Sequence, residues 1–254
     1  ADEGARDLLT TTGKHPMDNP LGGSRRACVL MAKVPIPGQV KTRLLPLLDE
    51  ESSARLYACF LRDMVEAVEA AFPGLCRVAY TPAGEGERLR GLLPEGCPLI
   101  PQRGTHLGER LYNIFHFLLL SEGLESVLAV NSDSPTLPMG LAADAFARLE
   151  EPGVDVVLGP ADDGGYYLIG LNKPLKHLFD DIPWSTPEVL PTTLKRAAEA
   201  RLRPALLGPW YDVDDREDLR RLCNELEEVE STGLAPTTWA CLKQFRAEGR
   251  LEAL

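Results

Sequence analysis

Residues Ser126 to Pro138 read SVLAVNSDSPTLP. The apolar run Val127 to Val130 breaks at Asn131, Ser132, Asp133 and Ser134 and then meets Pro135 and Pro138. This is the pattern of a buried strand that ends in a tight polar turn before a helix. Open α/β sheets bind ligands outside the carboxyl ends of their strands. Asp133 placed there could hold a divalent metal beneath a nucleotide diphosphate. The plainer alternative is an Asx turn that feeds the next helix.

Three cations stand in KVPIPGQVKTRL, Lys33 to Leu44, directly after a probable-strand pattern at Ala27 to Ala32. Pro35, Pro37 and Gly38 forbid a helix, so an ordered loop delivers Lys33, Lys41 and Arg43 near the end of the first strand. Such groups, with Thr42 beside them, suit the oxygens of a diphosphate, although a solvated basic loop has the same composition. QRGTHLGERL, Gln102 to Leu111, opens a helix and combines an amide, two glycines and a hydroxyl. Gln102 and the local backbone could read the edge of a base, or the segment is a plain helix start. GPADDGG, Gly159 to Gly165, joins two apolar runs. Gly164 and Gly165 suit a turn, yet Asp162 and Asp163 in front of a glycine pair also suit a backbone that approaches a ligand closely. Trp184, in DDIPWSTPEVL, could stack on a sugar or pack on the core. Asp212, Asp214 and Asp215 cluster before a helix. Asp214 with Glu217 has capping-box spacing, and the alternative is a second metal carboxylate. His106 and His116 have no ligand spacing, so no zinc site is expected.

The elements that must position these residues are legible as an alternation. Apolar residues at helical spacing run from Glu50 to Phe72, Cys76 to Thr81 reads as a strand, and a short helix (Gly86 to Leu93) and an extended piece (Pro98 to Pro101) follow. The helix after Gln102 is expected to bury Leu107, Leu111, Ile114, Phe115 and Leu118. Beyond the Asp133 turn come a helix from Gly140 to Leu149, strands at Val154 to Leu158 and Tyr166 to Leu171, a helix from Pro187 to Ala200 and a last strand at Arg203 to Leu207. Strands alternating with helices and no internal repeat predict a single α/β domain with a mostly parallel sheet. Residues 1–26 read as a flexible extension, 27–230 as the domain, and 231–254 as a C-terminal helical extension packed on it.

A chain of 254 residues can build one large domain of this kind or two small ones. With 27 Lys plus Arg against 38 Asp plus Glu, the net charge of −11 argues against nucleic acid and anionic membranes as partners. Residues 19–48 nevertheless contain no acid, so a small anion can bind there. The six cysteines include no C-x-x-C pair, which fits free thiols in a reducing compartment. No apolar run reaches membrane-span length, and a cytoplasmic location is expected. A homodimer is left open.

Taken in order, AKVPIPGQVKTRL, QRGTHLGERL, NSDSPTL, GPADDGGYYLIGL, DIPWSTPEVL and YDVDDREDL resemble the nucleotide-diphospho-sugar transferase superfamily, the glycosyltransferase A fold, and within it a bacterial glycosyltransferase-like family of undefined function. The resemblance spans Cys28 to Leu222. It implies a Rossmann-like domain with a mostly parallel mixed sheet flanked by helices. It also implies that Asp133 and Asp214 hold Mg²⁺ or Mn²⁺, that Ala32, Lys33, Lys41 and Arg43 face the phosphates, and that Gln102 and Gly104 meet the base. Asn131 departs from the glycine common in relatives. The implied activity is metal-dependent transfer of a sugar from a nucleoside diphosphate sugar to a small acceptor, with Lys41 and Arg43 stabilising the leaving group. Asp163 is the candidate to orient or deprotonate the acceptor, with Gly164, Gly165, Tyr166 and Trp184 on the acceptor or sugar side. The alternatives are a guanylyl- or cytidylyltransferase-like enzyme that takes a nucleoside triphosphate and releases pyrophosphate, and a non-catalytic nucleotide-binding protein.

Overall fold

Along β1 (Arg26–Lys33), Cys28, Leu30 and Ala32 enter one buried cluster and Ala27 and Val29 another. This period of two means that the strand is covered on both faces, as a parallel sheet requires. The computed structural model describes residues 25–229 and 232–251, so the expected N-terminal extension lies outside the described residues except for Arg25 and Arg26. Arg26 belongs to β1, because Arg26 pairs with Ser126 in the ladder.

The other strands are β2 (Cys76–Thr81), β3 (Leu99–Pro101), β4 (Ser126–Asn131), β5 (Val156–Pro160), β6 (Tyr166–Leu171) and β7 (Pro204–Leu206). They form one seven-stranded sheet in the order β3-β2-β1-β4-β6-β5-β7. β6 is antiparallel to both β4 and β5, while the other pairings are parallel. The alternation of apolar runs and amphipathic stretches therefore produces the expected mixed, mostly parallel sheet. The chain leaves β1 toward β2 on one side and returns as β4 on the other. This reversal opens a crevice at the carboxyl ends of β1 and β4.

Helices α1 (Glu50–Ala71) and α4 (Met139–Glu150) cover one face, through residues such as Leu61, Met64, Ala145 and Phe146. The helix α3 (Leu107–His116) covers the other with Leu111, Ile114 and Phe115, joined by Ala197 of α5 (Val189–Glu199). A five-residue helix, α2 (Gly86–Arg90), precedes β3. The second apolar stripe of α1, with Leu56, Tyr57 and Phe60, packs on α6 (Arg216–Glu228) and α7 (Pro236–Ala247) through Leu219, Leu222, Leu242 and Phe245. Ala235, which precedes α7, offers no side-chain cap. Asp63 of α1 supplies one, accepting from Thr237 N at 3.0 Å and Thr238 N at 2.6 Å.

Two local expectations are corrected. The helix after Gln102 starts only at Leu107, because Glu109 turns back to bond Thr105 N and Oγ1 and holds the preceding residues in a turn. Leu107, expected on the buried side, is 41% exposed. The cap of α6 is Asp215 in reciprocal bonding with Asp218, rather than Asp214 with Glu217. Asp214 is thereby released from helix capping. Among the described residues no helix is long and apolar enough to cross a membrane.

Candidate functional site

The crevice holds two adjoining cavities. The inner one, about 260 Å³, lies over the carboxyl ends of β1 and β4, the start of β6 and the first turns of α3. The outer one, about 510 Å³, runs between the Lys33–Arg43 loop and the turns at Asp163 and Ser185–Pro187. Lys33, Lys41 and Asp214 line both.

Two segments far apart in sequence are laced together at the floor. Val213 N donates to Asp133 O at 2.9 Å, and Ser134 Oγ donates to Tyr211 O at 2.8 Å. Ser134 Oγ and Asn131 Nδ2 both bond Asp212 Oδ1. This brings Asp133, Asp212 and Asp214 into one neighbourhood. Ser132 is tied as well: its Oγ donates to Met31 O at 3.1 Å and receives Tyr57 OH at 2.7 Å, and Tyr57 OH accepts from Lys33 N at 3.0 Å. The polar turn after β4 is thus rigid, and Asp133 sits on it with its side chain 34% exposed.

Lys41 answers the acids. Its Nζ pairs with Asp133 Oδ1 and, at 2.9 Å, with Asp214 Oδ1, and its side chain is only 4% exposed. Burial by itself would lower the Lys41 pKa, but Asp133 and Asp214 outweigh it and hold the ammonium well above its ordinary value. Burial pulls Asp214 upward, and the charge and hydrogen bond of Lys41 reverse this, leaving its carboxyl below the usual range. Asp212 has no such cationic partner among the described residues. Burial first, and then the charge of Asp133, push it up to about 7 against the bond from Ser134. Arg43 stands at the mouth, 3.8 Å from Asp214 and 70% exposed.

The remaining sequence-predicted residues divide. Ala32 and Gln102 line the inner cavity. The Gln102 Nε2 group is committed to Ala32 O at 3.1 Å and Ala79 O at 2.7 Å, so Oε1 is what its amide can offer a base. Tyr166 lines the inner cavity and Asp163 the outer one. Asp163 Oδ1 accepts from Gly165 N at 2.8 Å, an Asx-type turn that leaves Oδ2 without that duty. Gly164 has a protein reason for lacking a side chain: at φ +89°, a Cβ there would stand 2.4 Å from Pro187 O. Gly164 therefore packs against the neighbouring loop, while a Cβ at Gly165 would meet only the Asp163 carboxylate, at 3.1 Å. Among the described residues, Gly104 and Trp184 stand outside the lining of both cavities. Gly104 makes room for Glu109. The Trp184 ring packs edge-on to Tyr166 and against Gly108, which is the core-packing alternative.

Tyr57 and Ser134 join the site without having been expected to, and Asn131 and Asp212, read in the sequence only as a departure from relatives and as a member of the acidic cluster, join it through their hydrogen bond to each other. Tyr57 lies in the apolar stripe of α1, where periodicity reads it as core. Asp212 repeats, with Asp214, an acid-x-acid spacing that helix capping had seemed to explain. The Asn131 Oδ1 atom is buried beside the inner cavity without a hydrogen-bond partner among the described residues.

The donor chemistry fits a hard divalent cation. Among the described residues no group of three or more His, Cys, Asp or Glu side chains is gathered for a metal. Asp133 and Asp214, however, already converge on one cationic position, now held by the Lys41 ammonium. One or two carboxylates completed by water and phosphate oxygens are the usual protein share of such a site.

Residues 64–186 match the bacterial family described as uncharacterized proteins conserved in bacteria, DUF2064. A crystal structure from Desulfovibrio desulfuricans G20, provisionally assigned as a nucleotide-diphospho-sugar transferase, superposes with a TM-score of 0.80 and 31% identity, covering 88% of this chain and 96% of that one. A CMP:2-keto-3-deoxy-manno-octonic acid synthetase complexed with CTP has a TM-score of 0.54 at 13% identity over 81% of this chain and 99% of its own. A cytidylyltransferase from Leptospira borgpetersenii also reaches 0.54, at 10% identity over 90% of this chain and 96% of its own. These last two share the fold alone. No curated protein matches the chain. The sheet order, the crevice at its switch point and the near-complete overlap with the Desulfovibrio protein lead to one assignment: the chain belongs to the nucleotide-diphospho-sugar transferase family, and its residues 64–186 are similar to the bacterial family DUF2064.

Proposed function

We propose that this protein transfers a glycosyl group from a nucleoside diphosphate sugar to a small acceptor, with Mg²⁺ or Mn²⁺ as its cofactor. One observation carries the reading: Asp133 and Asp214, delivered from separate parts of the chain, converge on a single cation position, held by the Lys41 ammonium, with Lys33 and Arg43 lining the adjoining cavity. A metal held by those two carboxylates would neutralise charge on the leaving nucleoside diphosphate. Lys33, Lys41 and Arg43 bind the diphosphate oxygens as charge-assisted donors and stabilise the charge that develops as the glycosyl bond breaks. The nucleoside lies toward Ala32 and Gln102. The acceptor enters through the outer cavity, where Asp163 Oδ2 orients its hydroxyl and takes its proton. The provisional assignment of the Desulfovibrio protein supports the same reaction class.

The loop after β1 favours glycosyl over nucleotidyl transfer. A triphosphate cradle of the usual kind is built from backbone N–H groups. Here Pro35 and Pro37 have none, Val34 N donates to Thr81 O, and Ile36 N and Gln39 N donate within the loop to Val34 O and Ile36 O. The test is a product assay over nucleotide sugars and nucleoside triphosphates with Mg²⁺ or Mn²⁺ and a panel of hydroxyl acceptors. Release of nucleoside diphosphate is the expected result. Pyrophosphate release would replace the reading with nucleotidyl transfer, and binding without turnover would reduce the protein to a nucleotide binder. In the same assay Asp163→Asn loses turnover, and unchanged turnover removes Asp163 from the mechanism.

A further inference from the structure

The place that suits a divalent ion is filled by a side chain of the protein itself. Lys41 Nζ is bonded to both Asp133 and Asp214. It lies 5.8 Å from the centre of the Tyr57 ring and 5.9 Å from that of Phe60, so its charge is surrounded by acids on one side and π-faces on the other. The backbone contributes to this placement. Residue 41 is in the left-handed region, at φ 49° and ψ 39°, a conformation unusual for lysine and held here by the surrounding contacts. A divalent ion and an ammonium compete for the same two oxygens. A buried ammonium that gives them up must find other anions, because leaving it unpaired in a site 4% exposed is costly. Lys41 lines the outer cavity as well as the inner one, so phosphate oxygens arriving beside Lys33 and Arg43 can supply those anions.

We infer that Lys41 is a resident counter-cation that keeps divalent metal off the Asp133–Asp214 pair until a phosphate-bearing substrate draws its ammonium away, so that metal and diphosphate bind together. The inference rests on the metal reading above and adds an order of events to it. The ammonium offsets one of the two negative charges of the paired carboxylates in the ligand-free protein, and the cost of removing it falls on metal alone but is met by the diphosphate when both are present.

The experiment follows water-proton relaxation by Mn²⁺, which separates protein-bound from solution-complexed metal. It uses the full chain, with and without inorganic pyrophosphate, for wild type, Lys41→Met, Lys41→Gln and the double variant Lys41→Met/Asp133→Asn. Circular dichroism checks each fold, and Lys41→Gln, which keeps a hydrogen-bonding amide between the carboxylates, serves should the methionine variant not fold. With Mn²⁺ alone the charge-removed variants bind about tenfold tighter than wild type or better, the double variant loses the gain, and wild type binds well only with pyrophosphate. Removing a positive side chain then strengthens cation binding, which a merely structural lysine would not produce. Unimproved binding in folded Lys41 variants, with wild type binding Mn²⁺ in pyrophosphate, overturns the inference and leaves the metal reading standing. Absence of protein-bound Mn²⁺ in every protein and condition overturns the metal reading, and the inference with it.

Discussion

Two regions of this molecule hold aspartates within the structure, and they do so in opposite ways. At the α1–α7 junction, Asp63 is 3% exposed, and both its oxygens receive backbone N–H groups that helix α7 cannot otherwise use. In the crevice, Asp133, Asp212 and Asp214 crowd together. Burial and Asp133 push the carboxyl of Asp212 up to about 7, and Lys41 alone spans two of the three. The first arrangement satisfies a carboxylate and thereby stabilises the fold. The second holds like charges near one another, which works against folding and is suited to receiving a cation or a phosphate. Residue type and burial alone do not separate them; what separates them is whether the surrounding donors come from the backbone or must arrive with a ligand.

Asp133→Asn sharpens this contrast most. It removes one acid from the crowded set, leaving Lys41 paired with Asp214 and relieving Asp212. Transfer should fall by on the order of 10²-fold or more in kcat, the loss typical of an electrostatic stabiliser, while the melting temperature holds or rises. A steady-state assay beside a thermal melt checks both. A melting temperature that falls as far as it does on loss of Asp63 would break the distinction, making Asp133 a structural carboxylate of the same kind.

Asp63→Ala is the mirror experiment. It strips two buried N–H groups at the start of α7 of their acceptor and should cost about 1–3 kcal/mol for the unsatisfied donors, read as a lower urea midpoint. Turnover per folded molecule should be that of wild type, because neither Asp63 nor Thr237 nor Thr238 lines either cavity of the crevice. Lost turnover in fully folded protein would mean that α7 communicates with the site.

The contrast also explains what could be read in advance. The mixed α/β sheet was legible because its strands are short apolar runs closed by Gly, Pro and Asp, and because α1 carries apolar residues at helical spacing along its whole length. Asp133 was conspicuous for the same reason: a carboxylate that ends a buried strand has few structural excuses. Tyr57 was not, and Asp212 stood out only as one acid of a cluster, since their places come from the lacing of 131–134 to 211–214 and from the bonds of Tyr57 to Ser132 and Lys33. Sequence spacing does not encode such contacts. Local rules also misplaced a cap by one residue, because Asp214 and Asp215 both satisfy it and tertiary contact with Lys41 decides which is free. The close approach of Pro187 to Gly164 was likewise invisible in the sequence.

The smallest effect concerns a surface version of the junction. Asp49 caps α1, with Ser52 N donating to its Oδ1 at 2.7 Å, and its Oδ2 pairs with Arg250, just beyond α7. The bonds from Ser52 and then Arg250 lower its pKa to about 2. A carboxyl depressed in the folded state is ionised there at a pH where the unfolded chain has begun to bind protons. Its stabilising contribution is therefore complete above the ordinary carboxylate range, near pH 4, and is lost as pH falls through about 2. Melting curves of wild type and Asp49→Ala should accordingly differ slightly at neutral pH and draw together on acidification across that window. Were the two melting curves to stay equally far apart down to about pH 2, Asp49 would not be acting through its ionised carboxylate, and the surface cap would not be a version of the junction that Asp63 satisfies.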